Sequence, residues 1–270
     1  MSSPSASSAQ PSLAGQVAVI TGAGSGIGQA IAMELARCGA NCFLHTGSNR
    51  QGLDETVARC RGFAGDATGV VTDLRSPAAQ DALVEQACAW KSNVDIWVNN
   101  AGVDVLTGER ARWSFEQKLA ALWEVDVVAS ARLSRAIGAR MHSRGSGAIV
   151  SIGWDQASQG MAGDSGELFA LVKGAVMAFT RSLAQSLAPH VRVNCVAPGW
   201  IRTAWGDGAS AAWQARARRE SLLDRWGTPQ DIAGAVAFLV SPAGAFVNGQ
   251  ILPVNGGFRF SPGARADDGA

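Results

Sequence analysis

Seven short apolar runs alternate with longer amphipathic stretches along this chain, and the alternation limits the folds open to it. Short apolar runs between helices are typical of a parallel sheet covered by helices on both faces. The predicted strands are VAVIT (17–21), CFLH (42–45), GVVT (69–72), VDIWV (94–98), GAIVSI (147–152), VRVNCV (191–196) and QILPV (250–254). The predicted helical stretches include residues 26–38, 113–142, 167–187 and 229–240. The sequence therefore predicts a doubly wound α/β fold with a seven-stranded parallel sheet.

The composition fits a single globular domain. Hydrophobic residues make up 47% of the 270 residues, charged residues 17%, and the 32 glycines indicate many tight turns. Because no linker or internal repeat interrupts the pattern, we predict one domain over residues 13–258. The Ser/Pro/Ala-rich residues 1–12 are predicted to be a flexible N-terminal arm, and residues 259–270 a flexible C-terminal tail.

Charge and hydropathy argue against several classes of partner. The net charge of +1 comes with no basic stripe, so we expect no nucleic acid partner. No apolar run reaches the roughly 18 residues that span a bilayer, and the first twelve residues lack the apolar segment of a secretory signal. The five cysteines form no Cys-x-x-Cys pair and are expected to be reduced. We expect a cytoplasmic protein without a membrane partner, and three dispersed histidines give no reason to expect a metal site.

A glycine-rich turn, TGAGSGIG (21–28), joins the first predicted strand to the first helix. Glycines at such a turn allow the backbone to approach a pyrophosphate, which binds the free N–H groups and the positive dipole end of the helix. A glycine turn by itself is also a common structural device. Its position after the first strand favours a dinucleotide, with Gly22, Gly24, Ser25, Gly26, Ile27 and Gly28 as candidate cofactor-binding residues.

Further motifs occur in the order found in one enzyme family. In chain order they are VTDL (71–74), NNAG (99–102), PGWIRT (198–203), RWGTPQDIA (225–233) and NGG (255–257). Together with the glycine turn they resemble the short-chain dehydrogenase/reductase family, in its 3-oxoacyl-carrier-protein-reductase-like form. The resemblance implies a single Rossmann-type domain, a small-molecule substrate and a nicotinamide cofactor. It adds as candidate cofactor-binding residues Asp73, Leu74, Asn100, Ala101, Gly102, Lys173, Pro198, Gly199, Ile201 and Thr203. For NNAG and NGG, a purely structural role is equally compatible with the sequence.

The end of the second strand bears on which nicotinamide cofactor binds. An acidic residue there accepts the adenine ribose hydroxyls of NAD and repels a 2′-phosphate. The segment HTGSNR (45–50) has no acidic residue and offers Ser48, Asn49 and Arg50 to a phosphate. We therefore expect NADP to be preferred, while NAD stays possible because Arg50 is equally compatible with a solvated loop charge.

The expected catalytic group departs from the family's pattern. The family uses Asn, Ser, Tyr and Lys, and the tyrosine transfers the substrate proton. Lys173 is retained in FALVK, but Phe169 stands at the tyrosine position in a chain without any tyrosine. Trp154 stands at the serine position and Asp126 at the asparagine position. A missing acid costs roughly 10²–10⁴ in rate, so ordinary ketone reduction is in doubt.

Three explanations remain open from the sequence. A carboxyl group such as Asp155, Asp164 or Glu167 could act as the acid, with its pKa raised in an apolar setting near Trp154. A C=N substrate could take hydride as an iminium, with Asp126 or Asp155 stabilising the cation. A third explanation is that no redox chemistry occurs. Each carboxylate also has a structural reading, as a loop cap or as support for a helix kink.

The leading hypothesis is an NADP-preferring oxidoreductase with altered acid-base chemistry, acting on a C=O or C=N group of a small substrate. The alternatives are a non-catalytic cofactor-binding protein or regulatory subunit, and a non-redox cyclase or isomerase. Trp154, Trp200 and Trp205 are candidate pocket walls, and residues 205–226 are expected to form a lid. The resemblance also implies a homotetramer or homodimer packed through helices 113–142 and 167–187.

Overall fold

The computed structural model describes residues 12–258, without the side chains of Ala204 and Trp205. Seven parallel strands form one sheet, as predicted. They are β1 (Val17–Ile20), β2 (Asn41–Thr46), β3 (Ala67–Val71), β4 (Ile96–Asn99), β5 (Gly147–Ile152), β6 (Val191–Pro198) and β7 (Ile251–Val254). The predicted tail (259–270) and all of the predicted arm except Ser12 lie outside the described residues.

The helices in the described part of the chain separate these strands. They are α1 (Gly26–Arg37), α2 (Arg50–Arg61), α3 (Pro77–Lys91), α4 (Phe115–Leu122), α5 (Ser130–Arg144), α6 (Asp164–Leu187), α7 (Ala204–Asp207), α8 (Ala211–Glu220) and α9 (Pro229–Val240). No helix in residues 12–258 is both long enough and apolar enough to cross a bilayer.

Alternate residues of each strand supply two separate cores. Ala18 and Ile20 face the cluster that includes α1 and α9, whereas Val17 and Val19 face the cluster that includes α3, α5 and α6. This explains why the strands read as continuous apolar runs, since both faces are buried.

The strand order is β3-β2-β1-β4-β5-β6-β7. The order reverses between β1 and β4, where the chain crosses to the other half of the sheet. Ligands of open α/β sheets bind beyond the carboxyl ends of the strands at such a switch point. The predicted motifs lie at this edge of the sheet.

The predicted helical stretch 113–142 is helical but is not one regular helix. A π-helical segment, Trp123–Ala129, separates α4 from α5, and a 3₁₀ turn at Gly108–Arg112 precedes α4. The side chain of Ser114 accepts a hydrogen bond from the N–H of Gln117, whose side chain bonds back to Ser114, so α4 starts with a capping box. The π-helical segment carries Asp126, and such segments are frequent at functional sites.

Candidate active site

The glycine turn after β1 is packed too closely for side chains. A Cβ on Gly28 would lie 2.1 Å from the carbonyl oxygen of Gly22, and a Cβ on Gly22 would lie 2.8 Å from Ala101 Cα. Gly22 also has φ +70°, in the left-handed region that favours glycine. The turn therefore presents backbone alone at the switch point.

The N-terminus of α1 is electrostatically open to an anion. Ser25 occupies the N-cap position with extended backbone, no side chain caps the helix, and its first turn holds no acidic residue. Gly26 has φ +54°, and the methyl group of Thr203 lies 3.6 Å from the position a Cβ would take there. Together with Gly24 and Ile27, this bare helix end suits a pyrophosphate.

The loop after β4 is tied to the glycine turn. The Thr21 hydroxyl accepts hydrogen bonds from the N–H groups of Asn100 and Ala101, both 3.0 Å. The Asn100 amide donates to the carbonyl oxygens of Thr21 and Gly22, at 3.0 and 3.1 Å. Asn100 and Ala101 therefore fix the shape of the glycine turn through these contacts.

The loop after β2 has its polar side chains at different depths. The Asn49 carbonyl caps α2 through the N–H of Gly52, and its amide donates to the carbonyl of Gly24, both 3.0 Å. Ser48 is exposed, and the Arg50 side chain, 61% exposed, lies 3.8 Å from Asp54. Thr46, which we did not predict, is buried with its hydroxyl 3.0 Å from the Cβ position of Gly24.

Asp73 and Leu74 follow β3 and differ in exposure. The Arg75 guanidinium donates to the Asp73 carboxylate and holds the pKa of that carboxyl below its usual value. Leu74 is buried, and its carbonyl accepts a 2.7 Å hydrogen bond from Gln80. The structure thus places Asp73 at the surface of the predicted cofactor edge.

The residues after β6 close the other side of the site. Pro198 ends the strand, and the Gly199 N–H donates to the carbonyl of Val254. A Cβ on Gly199 would lie 2.5 Å from that of Asn255, so only glycine fits between β6 and the turn after β7. Ile201 is buried and pairs with Gly227.

Lys173 and Asp126 form a direct ion pair. The distance from Lys173 Nζ to Asp126 Oδ1 is 2.8 Å, and the side chains are 15% and 3% exposed. The other Asp126 oxygen accepts a hydrogen bond from the N–H of Val103, and a Cβ on Gly102 would lie 2.9 Å from Oδ1. Gly102 is therefore needed to let the loop after β4 reach Asp126, which links the cofactor turn to Lys173.

Phe169 lies one turn before Lys173 on α6 and meets Trp154. The two ring centroids are 6.1 Å apart at an interplanar angle of 65°, an edge-to-face contact. Both residues are partly buried. An apolar wall therefore stands beside the lysine where the family's pattern predicts hydroxyl groups. Ser151 does not replace them, because it is buried and accepts a hydrogen bond from the Asn99 amide.

Asp155 is buried behind this wall. It is 5% exposed, and its two oxygens accept hydrogen bonds from Asn255 Nδ2 (3.0 Å) and from the N–H of Gln156 (2.8 Å). Burial raises the pKa of Asp155 to about 6, a rise that these two hydrogen bonds oppose and that the Glu220 charge supports. No contact joins Asp155 to Lys173 or Asp126 among the hydrogen bonds and ion pairs of the described residues.

This buried carboxyl group predicts a pH-dependent stability. Since its pKa is about 6 when folded and 3.8 ordinarily, the native state binds more protons between these values. Its contribution to the free energy of unfolding then falls as pH rises through the window, by at most about 3 kcal/mol. We expect Asp155→Asn to gain stability relative to the parent between pH 4 and pH 7 in urea titrations. A constant difference across that range would contradict the assignment.

The predicted lid is anchored by a cluster of aromatic and charged side chains. Glu220, at the end of α8, accepts hydrogen bonds from Trp200 Nε1 and Arg216 Nε, both 2.7 Å. The Arg216 guanidinium lies 5.0 Å from the Trp213 ring centroid and 5.7 Å from that of Trp200. Trp200 is therefore part of the lid's packing. The side chain of Trp205, another predicted wall, lies outside the described residues.

The fold thus brings the glycine turn, the loop after β4, Thr203 and the Lys173–Asp126 pair to one edge of the sheet. Asp155 lies deeper, against the turn after β7. Sequence reasoning did not single out Thr46 or Glu220. Thr46 lies in HTGSNR (45–50), where only Ser48, Asn49 and Arg50 were named. Only their positions could have indicated them, because Thr46 lies at the end of the second strand and Glu220 lies in the predicted lid.

Known proteins resemble this chain over most of its length. A profile described as enoyl-(acyl carrier protein) reductase matches residues 22–259. Dehydrogenase/reductase SDR family member 4 of Rattus norvegicus is 33% identical over 258 residues, which cover 92% of this chain and 88% of that protein. The 3-oxoacyl-[acyl-carrier-protein] reductase FabG of Vibrio cholerae is 33% identical over 251 residues, with 91% and 98% covered.

Solved structures show the same fold. A 7α-hydroxysteroid dehydrogenase in complex with NADH and 7-oxo glycochenodeoxycholic acid superposes with a TM-score of 0.83 at 31% identity, covering 92% of this chain and 95% of that one. A candidate NAD(P)-dependent gluconate 5-dehydrogenase from Beutenbergia cavernae, with bound NADP, superposes with a TM-score of 0.81 at 35% identity, covering 91% and 97%. By its fold, its motifs and these relatives, the chain belongs to the short-chain dehydrogenase/reductase family of oxidoreductases.

Proposed function

We propose that this protein is an NADP-preferring oxidoreductase with altered acid-base chemistry, acting on a C=O or C=N group of a small substrate. The observation that carries the proposal is the direct contact between Lys173 and Asp126, 2.8 Å apart and largely buried. The pair lies beside the loop that fixes the glycine turn. Because burying an ion pair carries a desolvation cost, its presence at this place favours a catalytic role over a purely structural one.

The bound nicotinamide supplies or accepts the hydride. The bare N-terminus of α1 would hold the pyrophosphate of the cofactor, and Asp73 and Leu74 would contact its adenine. Asn100, Ala101 and Gly102 would line the cofactor at the switch point. The residues after β6 would line its other side, namely Pro198, Gly199, Ile201 and Thr203. Ser48, Asn49 and Arg50 lie nearest to the adenine ribose in this assignment, which the strand order supports.

Lys173 supplies the proton in the absence of a tyrosine. Its ammonium group has three donors, and Asp126 takes one of them. The Asp126 carboxylate holds the ammonium group in place through this contact. In ketone reduction Lys173 transfers a proton to the alkoxide oxygen formed by hydride addition, and in alcohol oxidation the neutral amine of Lys173 receives that proton. Hydride addition to an iminium gives a neutral amine directly and needs no proton.

The same geometry bears on the choice between C=O and C=N. A lysine cation stabilises a developing alkoxide, whereas it repels an iminium. Asp126 offsets that repulsion only in part, since its charge is already paired. Ketones and aldehydes are therefore the first class to test and cyclic imines the second. Trp154 and Phe169 provide an apolar wall for either.

A substrate screen tests the proposal. Purified protein with NADPH is offered aromatic and alicyclic ketones and cyclic imines, and oxidation of the dihydronicotinamide is followed by absorbance with product analysis. We expect turnover that Lys173→Met lowers by at least about 10² and that Lys91→Met, at an exposed lysine at the end of α3, retains. Absence of turnover with every class, despite tight NADPH binding, would contradict the proposal.

The proposed NADP preference rests on Arg50. Its guanidinium is exposed and only loosely paired with Asp54, so it is available to a 2′-phosphate. We expect Arg50→Ala to weaken NADPH binding roughly tenfold and leave NADH binding unchanged. Arg59→Ala, on the same helix, is the matched control. Equal weakening of NADPH and NADH binding would show that Arg50 does not recognise the 2′-phosphate.

A non-catalytic, cofactor-binding role is the second candidate. The edge-to-face contact of Trp154 with Phe169 favours it, because these rings occupy the place of the family's two hydroxyl-bearing residues. This role predicts cofactor binding without turnover.

We also propose a homo-oligomer, a dimer or tetramer. Large apolar side chains are exposed on the two predicted interface helices, namely Trp123 (43%), Val128 (39%) and Leu171 (52%). Sedimentation of Leu171→Glu against the parent protein tests it, with dissociation as the expected result.

A further inference from the structure

Asp155 connects two parts of the molecule that are distant in sequence. It follows Trp154 directly, and the Trp154 ring packs against Phe169 in the proposed substrate pocket. Its carboxylate accepts a hydrogen bond from the side chain of Asn255, one hundred residues away. Asp155 therefore ties the pocket wall to the turn that follows β7.

That turn holds the end of the lid. Asn255 Oδ1 accepts a 3.0 Å hydrogen bond from the N–H of Gly257, which fixes the turn. The N–H groups of Leu222 and Leu223 donate to the carbonyls of Gly257 and Gly256, at 3.0 and 3.2 Å. These two leucines follow α8 in the chain. The C-terminal part of the lid is therefore attached to the same turn that Asp155 contacts through Asn255.

The packing around this link is tight. A Cβ on Gly199 would lie 2.5 Å from Asn255 Cβ and 3.3 Å from Asp155 Oδ2. Such a confined carboxylate has little freedom to turn towards the pocket, and both of its oxygens are engaged. A direct role as proton donor is thus disfavoured by geometry.

We infer that Asp155 is a positioning residue, which couples the Trp154 wall of the pocket to the lid (residues 205–226) through Asn255 and thereby sets substrate affinity. The substrate-affinity part of this inference rests on the proposed function. The attachment of the lid does not, so it can be tested without a substrate.

The link depends on charge. Asn255 and Gln156 are neutral donors, and Glu220, on the lid, is the ionisable group among the described residues whose charge acts on Asp155. The two hydrogen bonds affect the pKa of Asp155 more strongly than the Glu220 charge does. Ionised Asp155 accepts them better than protonated Asp155. Burial outweighs this preference, since the pKa of Asp155 is raised to about 6 in the folded protein. Lid opening that exposes Asp155 should therefore become easier as pH rises through about 6, in the same direction as the stability change expected for the whole protein.

The experiment compares the parent protein with Asp155→Asn and Asn255→Ala. The first keeps the size of the side chain, and the second removes the other partner, so a folding defect in one leaves the other informative. Asp81→Asn, an exposed carboxylate on α3, is the matched control. Trypsin cleavage after Arg218 and Arg219, both exposed on α8, reports lid opening, and KM and kcat are measured for any substrate found.

We expect both variants to be cleaved about tenfold faster, to show a KM about tenfold higher and to keep kcat nearly unchanged, as the loss of one hydrogen bond implies. Relative to Asp155→Asn, the parent should be cleaved faster as pH rises through about 6. A loss of kcat with unchanged cleavage would make Asp155 the acid and overturn the inference. Unchanged cleavage and kinetics in both variants would overturn it as well. If no protein turns over any substrate, the proposed function fails while cleavage still decides the lid attachment.

Discussion

Lys173→Met is expected to lower turnover by at least about 10² and to destabilise the protein by about 3–5 kcal/mol. The kinetic loss follows from removal of the proposed proton donor, the cation that contacts Asp126 beside the loop that fixes the cofactor turn. The loss of stability follows from Asp126, which is 3% exposed and would be left as an unpaired buried charge. Steady-state kinetics and urea unfolding measure the two effects.

A second substitution separates the loss of turnover from the loss of stability. Adding Asp126→Asn to Lys173→Met removes the unpaired charge and keeps an acceptor for the N–H of Val103. We expect most of the stability to return while turnover stays low. The site assignment is wrong if Lys173→Met turns over as fast as the parent, or if the double variant regains activity.

Phe169→Tyr is expected to increase ketone reduction by about 10²–10⁴. Phe169 and Lys173 are four residues apart on α6, so a phenol introduced at position 169 would lie on the same face as the ammonium group. The cation would lower the pKa of the new hydroxyl and make it a better acid. The Trp154 ring limits the space at the wall, so Phe169→Tyr with Trp154→Ser should gain more than Phe169→Tyr alone.

Phe169→Leu is the control, since it changes the ring without adding a hydroxyl. It should leave turnover within about threefold of the parent if position 169 provides only apolar contact. A gain with leucine, or a loss with tyrosine, would show that the wall itself is adapted to the substrate and that a missing hydroxyl does not limit the rate.

The fold could be predicted because its signals are local. β5 and α9 have the bounds that the apolar pattern predicts, 147–152 and 229–240. Close packing explains why Gly22 and Gly28 could be recognised from the spacing of glycines. The cofactor preference and the residue roles remain predictions, because no local pattern decides them.

The parts of the site that were not predicted depend on tertiary contacts. The π-helical segment sets the direction of Asp126, and periodicity alone reads that stretch as a regular helix. Asp155 meets Asn255 only when β5, β6 and β7 lie side by side. Glu220 acquires its role from Trp200 and Arg216, whose positions follow from the packing of the lid.

The central claim is that this chain binds a nicotinamide cofactor for redox chemistry, and direct titration tests it. The fluorescence of the nine tryptophans is followed while NADPH or NADH is added to the purified protein. The account predicts micromolar binding with NADPH clearly preferred. Absence of binding by both cofactors would contradict it and leave a member of the family that has kept the fold and lost its cofactor.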